Sequence, residues 1–203
     1  MPFPESCNYI EREFPMSRPF GALQVAHQFI ESHVRPGAFC IDATAGRGND
    51  TVFLASLVGE TGKVLAFDIQ PEAVESTRAL IGERGCSGFA RVVLDSHANM
   101  ARYAAPGSVD CIVFNFGWLP GASHSVFSTA DSSIPALEAA LAALRAGGVL
   151  SAILYSGRVI GTDEKQSILS WLRALPLEKY TVLVCDFANW ADTAPLPCLV
   201  LKK

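Results

Sequence analysis

No stretch of about 18 apolar residues free of charge occurs anywhere in the sequence, which argues against a membrane-spanning helix. A basic excess is also missing: 16 Lys and Arg stand against 20 Asp and Glu, for a formal charge of −4. The surplus of acid lies in residues 1–100, with 8 basic against 12 acidic side chains, while residues 101–203 hold 8 of each. A broad phosphate-binding face would need the opposite balance, so any RNA partner is expected to be held by a local patch or a few base contacts. No two of the six cysteines form a C-x-x-C pair, which removes the usual zinc knuckle. His27, His33 and His124 lack metal-ligand spacing, and no metal site is expected. Residues 1–20 lack a basic start followed by an apolar run and carry Glu5, Glu11 and Glu13, which does not read as a signal peptide. These absences together predict a cytosolic, reduced protein.

What is present is half apolar, at 50% hydrophobic residues with a mean hydropathy of +0.27. At 203 residues the chain has the length of one domain. An irregular N-terminal arm with Pro2, Pro4, Pro15 and Pro19 is expected over residues 1–19, and one folded unit over 20–203. From Phe20 to Val34, Leu23, Val25, Ala26, Phe29 and Ile30 recur at helical spacing, and Pro36-Gly37 ends the helix.

Short apolar runs then alternate with helical segments. Strands are predicted at Ala38–Ile41, Lys63–Phe67, Ala90–Leu94, Cys111–Phe114 and Val149–Leu154. Helices are predicted at Asp50–Leu57, Pro71–Ile81, Ser132–Leu144 and Asp163–Leu175. Continuous apolar strands between helices imply a parallel sheet covered on both faces. Two further runs, Tyr180–Phe187 and Pro197–Lys202, are separated by a segment too short for a parallel crossover, so they should pair antiparallel. The expected fold is α/β and Rossmann-like: seven strands, mostly parallel, with an antiparallel C-terminal strand. A sheet ending this way resembles that of class I methyltransferases rather than nicotinamide-binding domains.

In open parallel sheets, ligands bind beyond the carboxyl ends of the strands, so the residues there are the candidates. The first strand is followed by Asp42-Ala43-Thr44-Ala45-Gly46-Arg47-Gly48-Asn49-Asp50-Thr51. Gly46 and Gly48 permit a tight turn and close backbone approach. Asp42 is placed to hold an ammonium, such as that of a methionine moiety, directly or through water. Thr51 stands where the dinucleotide fingerprint has its third Gly or Ala. Asp68, after the second strand, is placed to accept from both ribose hydroxyls, in NAD or S-adenosylmethionine alike. Asp95, Ser96 and His97, after the third strand, offer contacts to an adenine ring or cap a helix. Asn115 and Trp118, after the fourth, suit an amine acceptor and a stacked planar base. After the fifth, Tyr155 is placed to line the substrate pocket and Arg158 to meet a phosphate or to stand as a solvated loop charge.

These segments occur in one order: Asp42-Ala43-Thr44…Gly46-x-Gly48-x-Asp50-Thr51, Phe67-Asp68-Ile69-Gln70, Asp95-Ser96-His97, Asn115-x-Gly117-x-Leu119-Pro120-Gly121 and Tyr155-x-Gly157. The combination resembles the small bacterial "putative rRNA methylase" family, which includes a methyltransferase of tRNA 5-(aminomethyl)-2-thiouridine. The resemblance runs from about residue 20 to the C-terminus. It implies S-adenosylmethionine as donor and an amino group on a tRNA wobble uridine as acceptor. By the same match, cofactor contacts fall on Asn49, Asp50, Asp68, Gln70, Ser96 and His97; the candidate catalytic set is Asn115, to orient a neutral amine, with Trp118 or Tyr155 to stack on the base. The sequence departs from the family at Arg47 and Asn49, at Ala122-Ser123-His124 and at Ser156-Gly157-Arg158. The last two departures lie on the presumed substrate side. Another RNA site, a small-molecule amine, and cofactor binding without catalysis are the other readings. Sheet edges and apolar Phe114, Phe116 and Trp118 leave a homodimer open.

Overall fold

The computed structural model describes residues 20–116, 130–155 and 162–203. Ahead of the sheet, helix α1 (Ala22–His33) ends at Val34 as predicted, and β1 (Phe39–Asp42), α2 (Asn49–Val58), β2 (Lys63–Asp68), α3 (Pro71–Glu83) and β3 (Ala90–Leu94) follow in strict alternation. A 3-10 turn (His97–Arg102) leads to β4 (Val109–Phe116), α4 (Ala130–Ala143), β5 (Leu144–Leu154), α5 (Thr162–Arg173), β6 (Tyr180–Val184) and β7 (Leu196–Lys202).

The seven strands lie in the order β3-β2-β1-β4-β5-β7-β6. Pairings among β3, β2, β1, β4 and β5 are parallel. β7 runs antiparallel to β5 on one side and to β6 on the other, as the short link between the last two strands required. The strand order reverses between β1 and β4, and this switch point opens a crevice at the carboxyl ends.

Alternation along each strand sorts the core into two layers. Cys40, Val64, Ala66, Cys111 and Val113 face one side, where Ile30 and Val34 at the end of α1, Leu54 and Val58 of α2, and Val74 and Ile81 of α3 cover them. Ile41, Leu65, Phe67, Ile112 and Phe114 face the other, against Met100, Leu137 and Leu141 of α4, and Ile168 and Leu172 of α5. The first turns of α1 pack Ala22 and Ala26 on Ile153 of β5, which brings α1 over the β4–β5 end of the crevice.

Several boundaries differ from expectation; β6, expected to run to Phe187, ends at Val184. β4 extends to Phe116, because Asn115 and Phe116 continue the ladder opposite Ile153 and Leu154. Phe114 and Phe116 stack on each other in the core, 1% and 2% exposed, so neither is available to a dimer surface. β5, expected from Val149, starts at Leu144, which pairs with Val109 ahead of a bulge, and carries the Gly147-Gly148 step inside this long strand. The helix before it stops because Lys202 Nζ donates to Leu141 O at 2.7 Å and Leu144 O at 2.6 Å. An ammonium there also offsets the negative end of the helix dipole. Lys202→Met is expected to destabilise the protein by about 1–2 kcal/mol, the worth of charged hydrogen bonds at a half-buried position. Scanning calorimetry would show this as a midpoint lower by a few degrees; an unchanged midpoint would remove Lys202 from the cap.

Cys40, Cys111 and Cys198 are buried free thiols and Cys185 is half-buried, just past the end of β6. No helix among the described residues is long and apolar enough to cross a membrane.

Candidate active site

The loop after β1 is built around a buried acid. Asp42 is 0% exposed, and both of its oxygens are taken: Oδ1 accepts from Thr44 N at 3.1 Å and Oδ2 from Thr51 Oγ1 at 2.6 Å. Direct contact between Asp42 and a ligand is therefore not the geometry observed. Burial, reinforced by the charge of Asp50, pushes the Asp42 carboxyl up to about 7. Thr51, which breaks the dinucleotide fingerprint, is the buried hydroxyl that holds this acid.

The two glycines differ in their roles. Gly46 has φ +54° and donates its N–H to Asp68 Oδ2 at 2.9 Å. Gly48 has φ +82° and caps α2. A Cβ there would stand 3.0 Å from Thr77 Cα and 3.2 Å from its Cγ2 and Oγ1. Thr77 in turn donates to Gly46 O at 3.2 Å. Gly48 thus serves the packing of the loop on α3, while Gly46 lies on the crevice side with Asp68.

Asp68 ends β2, and its second oxygen accepts from Gln70 N at 3.0 Å. Each oxygen keeps a further lone pair for an outside donor. Gln70 is the N-cap of α3 through its backbone, so Asp68 braces the cap and does not occupy it. Next to it, Ile69 is 53% exposed, and Leu94 at the end of β3 is 56% exposed. Two large aliphatic side chains left in the open at neighbouring strand ends are what a flat aromatic ring requires of its binding walls.

Asp95 accepts from Asn99 Nδ2 at 2.6 Å, Ser96 N at 2.7 Å and Tyr103 OH at 2.8 Å. Those bonds, from Asn99 and then Tyr103, hold its carboxyl below the usual carboxylate range. Ser96 caps the 3-10 turn, its hydroxyl accepting from Ala98 N at 3.2 Å. His97 donates from Nδ1 to Ala43 O at 3.1 Å and packs edge-on against Phe114. Burial pushes the imidazole down, so it is neutral, with the hydrogen on Nδ1 and a lone pair on Nε2.

Asn115 is tied in twice at the β4 end. Its N–H donates to Thr44 Oγ1 at 2.8 Å, and its Nδ2 donates to Asp50 Oδ2 at 2.6 Å. Tyr155, 42% exposed, joins the same corner, its N–H donating to Phe116 O at 2.9 Å. Burial and the charge of Asp50 push its phenol up. Asn49, at the first position of α2, is exposed. Trp118, His124 and Arg158 lie outside the described residues.

Asp42, Asp50, Asn115 and Tyr155 thus gather at the β1–β4–β5 end, Asp68, Gln70 and Gly46 beside them, and Asp95, Ser96 and His97 further along the rim. The sequence reading missed His27, whose Nε2 lies 2.8 Å from Asp50 Oδ1, and it missed Asn99 and Tyr103. A signal for His27 existed: it shares the inward stripe of α1 with Leu23, Ala26 and Ile30, where a polar residue is out of place.

A seven-stranded sheet in this order, with a glycine loop after β1 and acids at the ends of β2 and β3, defines a class I methyltransferase that uses S-adenosylmethionine. The chain belongs to the family described as "Putative rRNA methylase", which matches residues 64–201. It is 32% identical to the chloroplastic tRNA (mnm(5)s(2)U34)-methyltransferase of Arabidopsis thaliana over 194 residues, 90% of this chain and 69% of that protein. The crystal structure of a "putative rRNA-methylase" from Clostridium thermocellum superposes with a TM-score of 0.87 at 34% identity, covering 92% of this chain and all (100%) of that one. A "putative methyltransferase" from Streptococcus mutans, crystallised in complex with SAH, gives 0.82 at 29% identity over 92% and 100% of the two chains.

Proposed function

We propose that the protein methylates a primary amine on a modified tRNA wobble uridine of the 5-aminomethyl-2-thiouridine type. The observation that carries this reading is the fixed amide of Asn115. A carboxylate only accepts hydrogen bonds, so Asp50 requires the Nδ2 side of the amide, and Oδ1 is left to face a donor. An amine is such a donor. The name of the Arabidopsis relative supports the choice of RNA.

S-adenosylmethionine, when bound, supplies a methyl group on a positively charged sulfonium. The residues present fit it: Asp68 for the ribose hydroxyls, Ile69 and Leu94 for the faces of the adenine, Asp95, Ser96 and His97 for its edge, and the acidic loop from Asp42 to Asp50 for the ammonium of the methionine end. Asp42 acts there through Thr44 and Thr51 by holding the loop's shape.

A primary alkylamine is mostly protonated near pH 7, with a reference pKa of about 10.4, and must reach the methyl as the neutral base. Asn115 Oδ1 orients one N–H of that base, which points its lone pair away from the protein. Exposed Tyr155 offers a ring beside it, and Trp118 is proposed as the second stacking partner. The net charge of −4 fits recognition of a few nucleotides instead of a long phosphate track.

The test is nucleoside mass spectrometry after incubation with S-adenosylmethionine and tRNA lacking the final wobble methylation. One added methyl on 5-aminomethyl-2-thiouridine is the expected product. Labelling of small amines with none on tRNA would overturn the acceptor. Asn115→Ala is expected to lower kcat by about a hundredfold through lost orientation, with the Kd for S-adenosylhomocysteine unchanged. Full activity in that variant would remove Asn115 from the catalytic set.

A further inference from the structure

Three side chains from three elements form one hydrogen-bonded chain behind the end of β4. His27 of α1 stacks flat on Phe53 of α2, with ring centroids 3.7 Å apart and planes 8° apart. Its Nε2 lies 2.8 Å from Asp50 Oδ1, and Asp50 Oδ2 accepts from Asn115 Nδ2 at 2.6 Å. The carboxylate accepts at both ends, so His27 carries its hydrogen on Nε2. A small cavity beside the chain, with room for about one water, is lined mostly by apolar side chains, Leu23, Ile30 and Val113 among them, with Asp50, Asn115 and Ser151 on its polar side. Ser151 is 2% exposed, and its hydroxyl makes no hydrogen bond among the described residues. The chain therefore borders a small, mostly apolar cavity beneath α1.

This arrangement does more than anchor α1. A lone carboxylate at the start of α2 is free to rotate, and an amide at a strand end is free to flip. His27 removes the first freedom, because its ring is clamped by Phe53 and its N–H points at one oxygen. Asp50, so held, removes the second. The other charged and titratable groups at this corner are Asp42 below Asp50 and Tyr155 across from it, and neither supplies a competing donor to Asp50.

We propose that His27 is a positioning residue for methyl transfer, acting through Asp50 to hold Asn115 with its amide oxygen presented to the acceptor amine. This rests on the reading of Asn115 as the contact to that amine.

His27→Phe keeps an aromatic ring to stack on Phe53 and removes the N–H. It is expected to lower kcat by about tenfold to a hundredfold, as misplacement of a reacting group does, with KM and the Kd for S-adenosylhomocysteine within about twofold. His27→Gln returns an N–H near the same place and is expected to regain most of the loss. Wild-type kcat in His27→Phe overturns the proposal. So does a Gln variant as slow as the Phe variant at the same melting midpoint, which is the result for a residue that only anchors α1. A long-range ¹⁵N spectrum of histidine-labelled protein reads the chain without turnover: an Nε2–H tautomer at His27 is expected, and an Nδ1–H tautomer overturns the geometry. Wild-type protein that modifies a small amine but no tRNA would overturn the tRNA acceptor alone; the same kcat comparison on that amine then decides the role of His27.

Discussion

Asp68→Ala is expected to weaken binding of S-adenosylhomocysteine by at least about a hundredfold, or roughly 2.8 kcal/mol at 1.4 kcal/mol per decade. The effect is large because one carboxylate does two jobs. Inward, it accepts from Gly46 N at 2.9 Å and Gln70 N at 3.0 Å, which joins the glycine loop after β1 to the start of α3. Each oxygen also keeps a lone pair, and the charged hydrogen bonds to two ribose hydroxyls proposed for them would each be worth about 1.5–3 kcal/mol. Alanine removes these acceptors and also releases the loop that shapes the methionine end. Asp68→Asn keeps an acceptor for one partner and places an N–H against the other, so it should fall between the two. Titration calorimetry with S-adenosylhomocysteine measures both variants. A Kd within threefold of wild type for Asp68→Ala would take Asp68 out of the cofactor site.

The sheet was legible in the sequence because its central strands are buried on both faces and read as unbroken apolar runs between helices. The antiparallel finish was legible for a different reason: the segment after Tyr180–Phe187 is too short to cross over. What was not legible came from contacts between distant residues. Nothing local to Leu144 says that the chain turns directly from helix to strand there; Lys202, far along the sequence, settles it by taking the last helical carbonyls. Phe114 and Phe116 looked like surface candidates because β4 was expected to end earlier, and their stacking inside the core depends on a ladder to β5. At the site, the acids at the strand ends could be found by position alone. Which of them face the crevice could not, since that depends on partners: Thr51 turns Asp42 inward, whereas Asp50 is turned toward β4 by Asn115 and His27.

The inward turn of Asp42 has a consequence for stability. A carboxyl with an unfolded pKa near 3.9 that is pushed up to about 7 in the fold keeps its proton over that interval while the unfolded chain loses it. The sign follows: this group's contribution is fully present below about pH 4, falls as pH rises, and is lost once pH passes about 7, where the fold must carry a buried charge beside Asp50. The slope is about 1.4 kcal/mol per pH unit, and the whole interval is worth at most about 4 kcal/mol. Asp42→Asn removes the titration and keeps the geometry, because its oxygen can accept from Thr44 N while its amide donates to Thr51 Oγ1, which is free to turn. The variant should therefore match or trail wild type at pH 4 and exceed it by a few kcal/mol at pH 8, in urea unfolding followed at both pH values. Parallel curves for the two proteins from pH 4 to 8 would mean that Asp42 is ionised in the fold throughout, with its charge compensated by Thr44 and Thr51. Gained stability with weakened S-adenosylmethionine binding would instead show that the destabilising charge is retained because the cationic cofactor benefits from it.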